Sequence, residues 1–346
     1  MVATLDDAKR TALAEKLASM KSIQELLIAN EQKLLGESDD PEIRDRLQKM
    51  LEDDRKNLGI IETAIVQYGV RAEPKEKVQR MTDQLGEMMQ GSDLSLYEKV
   101  AQHELLKHGQ VMSGLLVHKV AQVIGADVEI AIAPLNAVNF ENRAHQEQLK
   151  AIIEVVGTRE LTGQDPDQGI WAKVQDAVAA LSGVVGSAVT QGSDRDDMVV
   201  QEVFALDRQK ANTLMKDIEK SDNPPKIQEY FGQLYKDFKV QTEAKQQVIY
   251  PRVRPFYSES DTQKLLSQQG QLKVILDEMK VLSPTLPAFK ERLAQVKGMM
   301  DEYTRHEEST MFVAIANNLN SQQQQQLATE FKEAKKQLQL KLQSES

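Results

Sequence analysis

The sequence predicts an all-α protein built as two helical bundles, and three observations carry that prediction. Charged residues make up 28% of the chain and aromatics 5%, with 10 prolines and 17 glycines, which suits long amphipathic helices better than sheets joined by many turns. At 346 residues the chain is long for one core and comfortable for two, each of about 150 residues. Apolar residues recur three and four apart, and glycines and prolines interrupt the pattern at helix-length intervals.

Residues 8 to 36 form the first predicted helix, with Leu13, Leu17, Met20, Ile23, Leu27 and Leu34 on one face and Gly36 at its end. Pro41, acceptable in a first turn, opens a second helix that Gly69 closes. A short third helix covers about 75 to 90 before "QGSD", and a fourth runs from Ser95 to Gly125. The fifth spans about 130 to 156, and Pro134 should begin or kink it. Together these define a first domain, 1–160.

A connecting segment follows at 161–198. It holds "TGQDPDQG", one helix with small residues at Ala179, Gly183, Gly186 and Ser187, and the linker "QGSDRDDM". Asp165, Asp167 and Gly169 faintly resemble a calcium loop, but Pro166 and the missing twelfth-position acid oppose it. The second domain, 199–346, has predicted helices near 199–220, 225–250, 259–281 and 286–317 and a last one after Ser321. Short proline-marked connections there argue an antiparallel four-helix bundle.

Composition also sets limits on function. The net charge of −10 opposes binding to nucleic acid or an anionic membrane. The absence of cysteine removes disulfides, thiolate metal sites and cysteine nucleophiles. No segment approaches 18 consecutive apolar residues and the N-terminus lacks an apolar signal core, so the expected setting is cytoplasmic. Phosphate loops, Gly-x-Ser-x-Gly and His-Glu-x-x-His are not found, and "HELLKH" has the wrong helical phase for the last.

Four stretches, "FALDRQKANTLMKDIEK", "YKDFKVQTEAKQQVIYPRV", "SQQGQLKVILDEM" and "MMDEYTRHEESTMFVAI", lie in the order of landmarks of a known bundle. Residues 204 to 335 resemble the hemerythrin-like family with its HHE cation-binding domain. The resemblance implies two irons held by histidines and by His-x-x-x-Glu pairs, whose members project from one helix face. Transferred residue by residue, those positions fall on Arg208, Gln241, Lys245, Gly270, Tyr303 and Glu307, of which only Glu307 keeps a ligand side chain. The substitutions predict an ionic and hydrogen-bonded cluster in the former metal cavity, or side chains reaching solvent along their stems.

The segment "IANEQKLLGESDDPEIRDRLQKMLEDDRKNLGIIETAIVQYG" resembles the opening hairpin of ferritin-like proteins, with Glu31 matching the first glutamate and Met50 where a histidine is expected. Glu104 and His108, and Glu141 and His145, are four apart on two later helices, and with Glu31 and less surely Glu62 they define a candidate di-iron or di-manganese site. Family members normally space such pairs three apart. The other reading places Ala101, Leu105, His108, Met112 and Leu115 on a core stripe, with His108 a satisfied interior histidine, His103 outside and His118 packed near the helix end.

Two functions follow from these readings. The first is a non-enzymatic scaffold without cofactor, working through a protein partner or as a homo-oligomer, with no nucleic acid and no membrane insertion. The alternative is an iron- or manganese-binding protein for oxygen sensing, storage or stress protection.

Overall fold

The structure, a computed structural model, describes residues 7–166, 170–171, 173–174, 177–178 and 198–344. Among them the ordered elements are helices and no strand occurs, so the chain is all-α. It divides into two compact units, one formed by Met1–Arg10, Gly125–Ala131 and Met198–Ser346, the other by Thr11–Ile124 and Ile132–Asp197. The sequence calls at Asp167, Gly169, Ala179, Gly183, Gly186, Ser187 and the 191–197 linker lie outside the described residues.

In the order of the chain, α1 is Asp7–Glu37, α2 Pro41–Tyr68, α3 Glu76–Gln90, α4 Leu96–Ile124, α5 Ala126–Ile132 and α6 Leu135–Thr162. Local chemistry sets the ends of α2. The Asp40 carboxylate accepts from the Glu42 and Ile43 amides, Pro41 fills the first turn, and Gly69 closes the helix at φ 79°, where a side chain would be strained.

The predicted fifth helix differs from the structure at both ends. Pro134, which has no amide hydrogen, separates α5 from α6, and α6 runs past Gly157 to Gly163 at φ 71°. Gly157 is a packing residue. A Cβ there would meet the Tyr97 ring at 2.9 Å, so glycine lets α4 and α6 approach. At Gly114 a Cβ would fall on the Asn139 side chain, at 1.7 Å, for the same reason.

Buried Leu34, Ile43, Leu47, Met50, Val100, Leu149 and Ile152 form one apolar cluster of this unit. The expected core stripe of α4 is not in it. Leu105 is 60% and Met112 51% exposed, and Leu115 and His108 also face out, while Lys99, His103, Lys107 and Gln110 are buried. The helix carries its polar residues inward, so apolar periodicity points to the wrong face.

In the other unit, α7 is Val200–Lys220 and α8 Pro224–Ala244, which continues through a π-turn, Lys245–Ile249, into Tyr250–Val253. After α9, Glu259–Met279, comes α10, Pro287–Glu307, with a second π-turn at Glu308–Phe312 and a last short stretch, Val313–Asn318; α11 is Ser321–Ser344. Prolines open α8 and α10, and the Asn223 and Ser258 side chains cap α8 and α9. Phe204 meets Phe331 edge-on at 4.9 Å, and Phe231 meets Phe289 at 5.5 Å, in the apolar core of the unit.

Candidate functional site

Each unit encloses a polar cluster, and the two differ in access. In the unit of α1 to α4 and α6, the Lys107 ammonium on α4 donates to the Asp54 carboxylate on α2, lies 3.3 Å from Glu31 Oε1 and is 3.0 Å from His145 Nδ1. His103 Nε2 approaches Glu31 Oε1 at 3.2 Å, and His145 Nε2 approaches Asp53 Oδ2 at 3.4 Å. Glu31, Asp54, His103 and Lys107 have no exposed surface.

Burial and charge move these groups far from their ordinary behaviour. Burial, with the nearby Asp54 charge, pushes the Glu31 carboxyl up to about 8 against the pull of Lys107. Burial also works against an ionised Asp54, but Lys107 and His145 overcome it and hold that carboxyl well below the usual range. Desolvation, with the Lys107 charge, lowers His103 to about 3. Glu141, half-buried and near Asp53, is raised to about 7 chiefly by desolvation.

The predicted metal set divides here. Glu31 and His145 meet at Lys107, whereas Glu104 and His108 sit on another side of α4, bridged by Gln146 Nε2 at 2.9 Å and 3.1 Å. Glu62 is on the surface, 2.9 Å from Lys21. His103, expected outside, is inside, and Met50 is plain apolar core. Glu31 is turned toward the chain's own Lys107 ammonium and Glu104 toward Gln146, so the predicted donors do not converge on one two-iron centre. Among the described residues no group of three or more histidine, aspartate and glutamate side chains is arranged to hold a metal ion.

The second cluster lies where α8 and α10 pass into their π-turns. Lys245, the first residue of one turn, is 2.6 Å from Glu307, the residue before the other, and both are buried. The Tyr303 hydroxyl donates to Glu307 Oε1 at 2.9 Å and accepts from Gln269 Nε2 at 2.9 Å and Lys245 Nζ at 3.3 Å. Gln269 also donates to Tyr250 at 2.7 Å, and the Lys245 ammonium sits 4.2 Å from the centre of the Phe204 ring. Burial and the Glu307 charge raise the Tyr303 phenol well above its ordinary value. Single π-turns inside helices are frequent at functional sites.

Of the six positions transferred from the resemblance, Lys245, Tyr303 and Glu307 meet. Gln241 lines the same cavity but makes no bond in the cluster. Gly270 is on the surface, and its neighbour Gln269 supplies the third-helix group, a step of one residue or about 100° around the helix. Arg208 pairs with Glu308 at the half-exposed edge rather than with Glu307. The cavity, of about 30 Å³, has room for a water or two and is lined in part by polar groups, among them Arg208, Lys245, Tyr303 and Glu307, and in part by apolar ones such as Phe204 and Phe238.

Sequence reasoning missed a third group. Arg10 donates to Asp127 and Glu229 at 3.0 Å each, all within the unit that holds residues 198–346 and all buried. No local pattern links residues 117 and 219 positions apart. The inward face of α4 did carry a signal, since His103, Lys107 and Gln110 follow one another at four and three.

No family model and no solved structure matches the chain. A protein of Nostoc sp. (strain PCC 7120 / SAG 25.82 / UTEX 2576), named DNA nickase, is 60% identical to it over 342 residues, which cover 99% of this chain and 97% of the relative. That finding corrects the functional expectations. It runs against a non-enzymatic hemerythrin-like scaffold, against iron or manganese binding for sensing, storage or stress protection, and against the exclusion of nucleic acid. The exclusion rested on a net charge averaged over the chain. Residues 1–197 carry 33 acidic and 22 basic side chains, and residues 198–346 carry 20 and 21, so the excess negative charge is confined to the first part.

Proposed function

This chain belongs to the family that contains the Nostoc DNA nickase, and from that premise we propose that it is an enzyme that breaks one strand of duplex DNA. The observation that carries the proposal is the extent of the likeness. At 97% coverage no domain-sized part of the relative lacks a counterpart in this chain.

The cavity between Lys245, Tyr303 and Glu307 is the place for strand cleavage. Cleavage of a phosphodiester needs a group to take a proton from the nucleophile and cations to offset charge on the phosphorus oxygens. Glu307 is a carboxylate already bonded to a hydroxyl, Lys245 is an adjacent ammonium, and Arg208 lines the cavity from its half-exposed side. The Lys107 cluster is the poorer alternative, because its charges pair with each other and Glu31, Asp54, His103 and Lys107 have no exposed surface, whereas Arg208 brings the Tyr303 cavity to a half-exposed edge. Near balance of charge in residues 198–346 also lowers the repulsion that a polyanion meets there. No described helix is long and apolar enough to cross a membrane.

Incubation of the full-length protein with supercoiled plasmid, with and without added divalent cation, tests the activity. The expected product is relaxed open circle ahead of any linear form. Plasmid that stays supercoiled under both conditions rules the activity out.

A further inference from the structure

We infer that Tyr303 is the nucleophile of strand cleavage and that the enzyme passes through a covalent tyrosyl–DNA phosphodiester. The inference rests on the nicking activity proposed above and goes further, to the atom that attacks.

Of the groups around the cavity, Tyr303 alone combines a nucleophilic oxygen with a carboxylate placed to take its proton. Its hydroxyl donates to Glu307 Oε1 at 2.9 Å, four residues along the same helix. Gln269 Nε2 and Lys245 Nζ approach the same oxygen at 2.9 Å and 3.3 Å and would hold it in place as its charge changes. A nucleophile bonded to its base, with the base oriented by a third group, is the usual arrangement of covalent catalysis. Here the third group is Lys245, 2.6 Å from Glu307.

The step balances with the groups present. Tyr303 Oη attacks the phosphorus and its proton passes to Glu307. The Oη–P bond forms and the opposite ester P–O bond breaks. The departing DNA oxygen takes a proton from Lys245, and Lys245 regains one from Glu307 across their hydrogen bond. The strand is then open, with one end joined to Tyr303 and the other a free hydroxyl. Attack by that hydroxyl reseals the strand, and attack by water releases the enzyme and leaves a nick.

The cavity is too small for a phosphodiester as it stands. Arg208, which is paired with Glu308, lines its half-exposed side, and exposed pairs of this kind hold weakly. A DNA phosphate offers Arg208 a competing bidentate partner, so strand binding and opening of the cavity are one event. The two π-turns begin at this point, one at Lys245 and the other directly after Glu307.

The test uses full-length protein and plasmid carrying radiolabelled phosphates throughout, stopped with denaturant during nicking and digested with nuclease. The expected result is label that stays on the denatured protein and a tryptic peptide carrying nucleotide on Tyr303. Tyr303→Phe, which keeps the ring and the Lys245–Glu307 pair but gives up the hydrogen bonds of the hydroxyl, is expected to fold with a somewhat lower melting temperature and, assayed well below it, to nick on the order of 100-fold more slowly or worse. If the parent nicks while no label is trapped and Tyr303→Phe nicks within about threefold of it, the inference fails and the activity stands. If the parent does not nick, the activity itself fails.

Discussion

Lys107 donates to Asp54 at a point where neither side chain touches solvent, and the same ammonium lies 3.3 Å from Glu31. Removing the cation while keeping its bulk, with Lys107→Met, leaves the buried Asp54 carboxylate without its ammonium and with only His145 and Asn57 beside it. The expected cost is about 3–5 kcal/mol in urea unfolding. Adding Asp54→Asn should recover part of that loss, because the second change removes the stranded charge. A loss under about 1 kcal/mol in the single variant would show that the cluster is hydrated or rearranged.

The shifted groups of this cluster give opposite pH dependences. Glu31 keeps its proton up to about 8 when folded and loses it from about 4.5 when unfolded. Its contribution therefore falls as pH rises from 4.5 to 8 and is flat above. His103, lowered from 6.5 to about 3, stays neutral in the folded state while the unfolded chain takes up a proton, so stability is lost as pH falls from 6.5 toward 3. Unfolding free energies measured from pH 4 to 8 should show Glu31→Gln losing the decline on the alkaline side and His103→Gln losing the decline on the acid side. Variant curves parallel to the parent would contradict both assignments.

Arg10 binds Asp127 and Glu229, which belong to distant parts of the sequence but to one compact unit. Arg10→Met leaves two buried acids without it, although Glu229 retains Lys226 at 2.9 Å. The predicted loss is about 3–5 kcal/mol, measured by denaturant unfolding of the full chain. An unchanged midpoint would mean that the triad forms only weakly in solution.

Much of the fold was legible because helix boundaries are written in local chemistry. Asp40, Pro41 and Gly69 bound α2 on their own terms, and Pro224 and Pro287 open helices wherever they are placed. Gly157 misled because a glycine chosen to admit the Tyr97 ring looks in sequence like one chosen to end a helix. The site was half legible. Lys245, Tyr303 and Glu307 all followed from the resemblance, but nothing local marks Gln269 over Gly270. On α4 the error was physical, since a helix with lysine and histidine inward and Leu105, Met112 and Leu116 outward inverts the pattern that periodicity reads.

Arg252 and Arg254 are exposed on the segment that follows the first π-turn. If DNA approaches this unit, Arg252→Ala and Arg254→Ala should each weaken duplex binding across all sequences and lower the slope of log affinity against log salt by about 1. Fluorescence anisotropy from 50 to 200 mM salt reads both quantities, and unchanged slopes would place the DNA elsewhere.

The account stands most directly on where the strand is cut, and one comparison tests it. The nicking rates of Glu307→Gln and Lys107→Met are measured side by side on supercoiled plasmid, at a temperature where circular dichroism shows both folded. The predicted result is a loss on the order of 100-fold or more for Glu307→Gln and a rate within about threefold of the parent for Lys107→Met. The reverse pattern, with Glu307→Gln active and Lys107→Met silent, would move the catalytic centre to the other unit and contradict the account.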